Sequence, residues 1–167
     1  MPHVRALLRT AARICRDTAM AEDLVQETLL RAWSCLDQFQ VGTNCKAWLF
    51  TILLHLWSRR REKASSRLEV VGLDPRAETR SLGASLEEHV MANEVLAAVD
   101  GLAEDQRTTL LLSAVEGFSV NEIAEMLAVP PGTVMSRLGR ARSALRASLN
   151  LRPQPCTSGG EKGSYAM

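Results

Sequence analysis

The chain has 167 residues, a formal net charge of +1 and four cysteines. That length holds one ordinary domain or two small ones, each with a modest core. The scattered Cys15, Cys35, Cys45 and Cys156 show no C-x-x-C spacing, which argues against a zinc site or a disulfide framework and for free thiols in a reducing compartment.

The near-neutral total hides segregated charge. Arg59, Arg60, Arg61, Lys63 and Arg67 form one basic block and the arginines from Arg137 to Arg152 another, while acids gather at Glu22 to Glu27 and Glu87 to Glu94. It is the local field that steers a polyanion. No basic-then-apolar leader opens the chain, so no secretory signal is expected, and the Ala47 to Trp57 run is too short to span a bilayer. A cytoplasmic protein without a membrane partner is the expectation.

Pro2 to Arg16 reads as a first helix with Val4, Leu7, Leu8, Ala11 and Ile14 as its apolar stripe. Asp17 or Thr18 caps a second helix reaching about Leu36, with Leu24, Val25, Thr28, Leu29, Ala32, Trp33 and Leu36 inward. On another face Asp23, Gln26, Glu27 and Leu30 recur at i, i+3, i+4, i+7. Such a stripe is usually only solvated, but its acidic end and apolar end also suit docking to another protein. A loop from Asp37 to Asn44 follows, and Asn44 caps a third helix from Cys45 to about Lys63. That helix is apolar almost all round, so it must pack on several sides or meet a partner. Lys46, Phe50, Trp57 and Arg61 can share one side, where rings and cations suit stacking on unpaired bases. Singly, each ring is better read as core; with its basic end, the region is read as functional.

Residues Ala64 to Ala84 lose periodicity and collect serine, glycine and proline, the composition of a linker. Ser85 with Glu88 forms a capping box opening a helix to about Asp100; Gly101 ends it, and Ala103 to Val115 is the next. A second capping box, Ser119 with Glu122, starts a helix with Val120, Ile123, Ala124 and Leu127 inward. Ala128 to Gly132 breaks it, and Pro131 suits the first position of a last helix, where a missing amide hydrogen costs nothing. There Val134, Leu138, Ala141, Leu145 and Leu149 face inward, and Thr133, Ser136, Arg137 and Arg140 outward, with Arg142 and Arg146 further along. This is the layout of a helix-turn-helix, whose second helix presents its first turns to the major groove. A solvated hairpin is the alternative. No acid balances the arginines between Thr133 and Asn150, which favours nucleic acid. After Leu151 the tail has the composition of disorder. The fold class expected is therefore all-α: two small helical domains, 1–63 and 85–150, joined by a flexible linker, 64–84, and followed by a disordered tail, 151–167.

No catalytic constellation is readable. His3, His55 and His89 lie on separate helices, and there is no H-E-x-x-H, phosphate-cradling glycine loop or nucleophile elbow. No enzyme activity, cofactor, metal or small-molecule substrate is expected.

Two motif sets carry a family resemblance. Asp23-Leu24-Val25-Gln26-Glu27 with Leu30-Arg31-Ala32-Trp33, then Ala47-Trp48-Leu49-Phe50-Thr51-Ile52, resembles the promoter-melting domain of bacterial sigma factors of the extracytoplasmic-function (ECF) type. Gly132-Thr133-Val134, Ser136-Arg137 and Arg140-Ala141-Arg142 resemble their C-terminal domain. The Gly42-Thr43-Asn44 loop looks most like the general-stress subgroup. The resemblance implies that Asp23, Gln26, Glu27 and Leu30 dock on the clamp helices of the largest subunit of core RNA polymerase. It implies −10 contacts from Gln40, Thr43, Asn44, Lys46, Trp48, Arg59, Arg60 and Arg61. It implies −35 contacts from Thr133, Ser136, Arg137, Arg140 and Arg142, and an anti-sigma factor as a further partner. The sequence departs from the family pattern at Leu54, commonly arginine, at His55, commonly asparagine, at Met135, usually lysine, and at Ala128, often glycine. A different reading, a decoy that keeps the fold to sequester an anti-sigma factor, has only Leu54, His55 and Met135 in its favour.

Overall fold

The computed structural model of the chain describes residues 3–71 and 88–149, with side chains described for 3–64 and 94–149. The described residues are helical, without a strand. In order they are α1 (Val4–Cys15), α2 (Thr18–Ser34), a single 3₁₀ turn (Leu36–Gln38), α3 (Cys45–Val71), α4 (Glu88–Asp100), α5 (Glu104–Ala114), α6 (Val120–Leu127) and α7 (Pro131–Ser148). The Ser85 cap and the tail beyond residue 149 lie outside the described residues, and α3 runs past Lys63 to Val71.

Helices α1, α2 and α3 form one bundle and α4 to α7 a second. Leu7, Ala11 and Ile14 of α1 meet Ala21, Leu24, Val25 and Ala32 of α2 and Leu49, Leu53 and Leu54 of α3 in the core. Asp17 caps α2, its Oδ1 accepting from the Met20 amide at 2.9 Å. Asn44 does the same for α3, accepting from the Ala47 amide at 3.1 Å. Each cap supplies an acceptor that a helix start otherwise lacks.

Trp33 and Leu36 depart from the expected inward set, at 75% and 52% exposed. The buried arc of α2 is Ala21, Leu24, Val25, Thr28 and Ala32. At about 100° per residue, Trp33 falls past the edge of that arc. Leu36 lies beyond the helix end, where the 3₁₀ turn changes the phase.

The second bundle closes around Leu111, Leu112, Ile123, Ala124, Met126, Val134, Leu138 and Ala141. The Ser119–Glu122 capping box is formed in both directions, and Pro131 takes the first turn of α7. Between the helices Ala128 adopts the left-handed conformation at φ 51°, and the Val129 amide donates back to the Ala124 carbonyl at 3.0 Å. This closure normally uses glycine; in alanine it costs on the order of 1 kcal/mol.

The two bundles pack on each other through α1 against α5 and α3 against α6. That packing answers the apolar girth of α3: Phe50, fully buried, meets Phe118 edge-on with ring centroids 5.2 Å apart. The expectation that Lys46, Phe50, Trp57 and Arg61 form an open stacking face is therefore corrected. Phe50 is core, and Lys46 lies over both Phe50 and Phe118, 5.8 and 5.0 Å from their centroids. Trp57 donates its indole N–H to Glu104 at 2.6 Å.

Candidate nucleic-acid interface

Three surfaces carry the residues singled out by sequence. On α2, Asp23, Gln26, Glu27 and Leu30 are all exposed, with Leu30 at 70%. Helical phase places Trp33 beside Leu30 and Gln26, so the exposed ring extends this face. Sequence reasoning put Trp33 in the core; its offset from the buried arc was the signal available.

The second surface is the loop before α3. Gln40, Val41, Gly42, Thr43 and Asn44 are exposed, Val41 almost completely. Thr43 closes the turn through its amide and hydroxyl, which donate to the Gln40 carbonyl at 3.1 and 2.8 Å. Gly42 has φ 100°, the third position of a turn that favours glycine. Trp48 is half-buried, its ring 5.0 Å from that of Phe39, so the loop and the start of α3 are tied by aromatic contact.

The third surface is α7. Val134, Leu138 and Ala141 hold its inner side, leaving Ser136, Arg140 and Arg142 exposed and Thr133 and Arg137 partly so. Ser136 donates its hydroxyl to the Thr133 carbonyl at 3.0 Å.

Several basic residues on these surfaces are engaged by acids of the same chain. Arg137 pairs with Asp105 at 2.8 Å, and Arg61 reaches Glu104 at 2.9 Å and the other oxygen of Asp105 at 3.8 Å. Arg60 pairs with Glu27 at 2.6 Å, joining a residue expected at DNA to one expected at polymerase. The Asn44 amide donates to Glu122 at 3.1 Å. These are surface pairs, each worth roughly 0–1 kcal/mol. Arg59, Arg140 and Arg142 are exposed.

Deeper in the seam the pairing is stronger. Gly117, at φ 77°, reverses the chain after α5, and its neighbours Glu116 and Phe118 are both buried. Glu116 Oε1 accepts from Arg9 and Thr10, each at 2.8 Å, and Lys46 Nζ lies 2.9 Å from Oε2 while donating to the Glu116 carbonyl. Burial alone raises the Glu116 pKa, but donors from Arg9, Lys46 and Thr10 outweigh it and hold the carboxyl below its ordinary value.

Nearby, Arg13 pairs with Asp100 at 3.0 Å, and Arg16 donates to the Asp100 carbonyl. Arg107, buried, donates to the carbonyls of Ile14 and Leu102, both at 3.2 Å. Burial, and next the charge of Arg16, push the Arg107 pKa down. Sequence reasoning gave no role to Glu116, Asp105, Asp100 or Arg107, because each has a partner distant in the chain and no local spacing marks it.

Comparison with known proteins decides the family. Residues 1–67 match Sigma-70 region 2 and residues 92–145 match Sigma-70, region 4. The ECF RNA polymerase sigma factor EcfG of Rhodopseudomonas palustris (strain TIE-1) is 41% identical over 150 residues, covering 89% of this chain and 80% of EcfG. The chain belongs to the ECF sigma factors. The ECF sigma factor SigL of Mycobacterium tuberculosis (strain ATCC 25618 / H37Rv) is 36% identical over 151 residues, 88% of this chain and 84% of SigL. Among solved structures, the sigma factor RpoE of Bartonella quintana, in complex with the anti-sigma factor NepR, has a TM-score of 0.72 at 33% identity. The match covers 90% of this chain and 93% of that one. As an ECF sigma factor the chain binds core RNA polymerase and directs promoter-specific initiation of transcription. Among the described residues, no helix is long and apolar enough to cross a membrane.

Proposed function

We propose that this sigma factor divides its work among the three surfaces. The α2 face of Asp23, Gln26, Glu27 and Leu30 docks on the clamp helices of the largest polymerase subunit. Gln40, Thr43, Asn44, Lys46, Trp48, Arg59, Arg60 and Arg61 serve the −10 element, the exposed loop taking a flipped base and the basic end of α3 taking phosphates. Thr133, Ser136, Arg137, Arg140 and Arg142 read the −35 element as duplex. Residues 64–84, which begin within the last part of α3, link the two modules, so that two weak contacts held on one enzyme gain by effective concentration. The observation that carries this division is the exposure of Ser136, Arg140 and Arg142 on the outer side of α7, with Val134, Leu138 and Ala141 filling the inner one. The chain acts in the cytoplasm in a stress response, performs no catalysis of its own, and is held by an anti-sigma factor. The Bartonella neighbour, solved with such an inhibitor, supports that last partner.

Run-off transcription with purified core polymerase on a genomic promoter library tests the reading. A specific transcript above the core-only background is expected. In a core-binding assay Glu27→Ala should weaken the complex and Arg137→Ala should spare it; equal losses would contradict the division.

A further inference from the structure

Helix α7 carries a side chain that its inner packing does not use. Val134, Leu138 and Ala141 set the buried side. At about 100° per residue, the opposite side holds Gly132, Ser136, Gly139 and Ser143. A Cβ built on Gly132 or Gly139 would meet nothing within 4 Å, so the middle of this face is low and open. Two flanks rise beside it: Thr133, Arg137 and Arg140 on one side, and Met135, Arg142 and Arg146 on the other. Among the large apolar side chains of α7, Met135 alone is exposed, at 64%.

Water is a poor environment for a thioether, and three features point to what covers it in the working state. Met135 sits in the first turns of the helix, the part of a helix-turn-helix that reaches base edges. It shares its flank with Arg142 and Arg146, and no acid stands between Thr133 and Asn150 to repel phosphate. Gly139, one turn further on, leaves room beside it for a close approach. In the major groove the apolar feature of a base edge is the 5-methyl group of thymine, which is read by apolar contact. Methionine, unbranched and polarisable, adapts to such a small target.

We propose that Met135 is a specificity-determining residue of the −35 reader, packing on the 5-methyl group of one thymine. The inference rests on the assignment of the outer α7 face to duplex DNA. A lysine at this position would deliver a charge to phosphate, a contact that carries no sequence information. Methionine exchanges that general affinity for discrimination at one base pair.

The test uses the full chain bound to core polymerase. A duplex library randomised across the −35 element gives the preferred sequence, and deoxyuridine then replaces each thymine in turn, removing only the methyl. At one position deoxyuridine should weaken binding about fourfold, the value of burying one methyl group (about 0.8 kcal/mol). Met135→Ala should abolish that loss and leave the salt dependence unchanged, while Met135→Lys should steepen the salt slope by about one unit. Tolerance of deoxyuridine everywhere, or an equal loss in Met135→Ala, overturns the inference and leaves the −35 assignment standing. Enrichment of no −35 sequence at all overturns both.

Discussion

Replacing Glu116 with glutamine tests how the two bundles are held together. The side chain is fully buried, with Arg9 and Lys46 as ion-pair partners and Thr10 as a further donor. Glutamine keeps the shape and one acceptor oxygen but removes the charge and turns an N–H toward a cation. Removing one partner of a fully buried pair costs about 3–5 kcal/mol. Arg9 is 58% exposed and Lys46 25%, so water recovers part of the loss; about 2 kcal/mol is the expected cost. The carboxyl is held below its ordinary value of about 4.3, so its stabilisation is complete above that pH and is lost as the pH falls through the lower folded value. Urea unfolding of both proteins across pH 3–7 should show a gap of about 2 kcal/mol at neutrality that narrows below about pH 4. A gap independent of pH, or none at pH 7, would refute the reasoning.

Two further substitutions probe the interface and the turn. Asp105→Asn removes the acid that engages Arg137 and Arg61; promoter-duplex affinity, followed by fluorescence anisotropy, should rise several-fold at low salt, with the gain shrinking at high salt. Unchanged affinity at low salt would show that the pairing does not compete with DNA. Ala128→Gly relieves the left-handed alanine at φ 51°, and after the entropy of the unfolded glycine is counted it should stabilise the chain by up to about 1 kcal/mol in urea unfolding; a loss of stability would contradict that account.

The helix-turn-helix was legible because its signals are local. The Ser119–Glu122 box, Pro131 at the first turn of α7 and the inward set Val134, Leu138 and Ala141 each lie within a few residues of one another, and each is present. The interface between bundles was not, because its partners are far apart in sequence: Arg9 and Glu116 are separated by 107 positions. A ring beside a cation reads the same whether it faces a base or a phenylalanine, and at Phe50 it faces Phe118. Trp33 shows the reverse error: hydrophobicity argued for burial, while one step of helical phase carried it into solvent beside Leu30. Family resemblance supplied what spacing could not, namely the roles proposed for the three exposed surfaces.

Arg61 and Arg137, assigned here to promoter elements that lie apart on the DNA, converge in the folded chain on a single carboxylate, Asp105. An arginine whose geometry is committed to that carboxylate is not at the same time on a phosphate. Asp105 and Arg137 belong to the same bundle, so whatever draws the bundles apart frees Arg61 from Glu104 and Asp105 while leaving Arg137 on its carboxylate; of the two guanidinium groups, only that of Arg61 is tied to the docked arrangement.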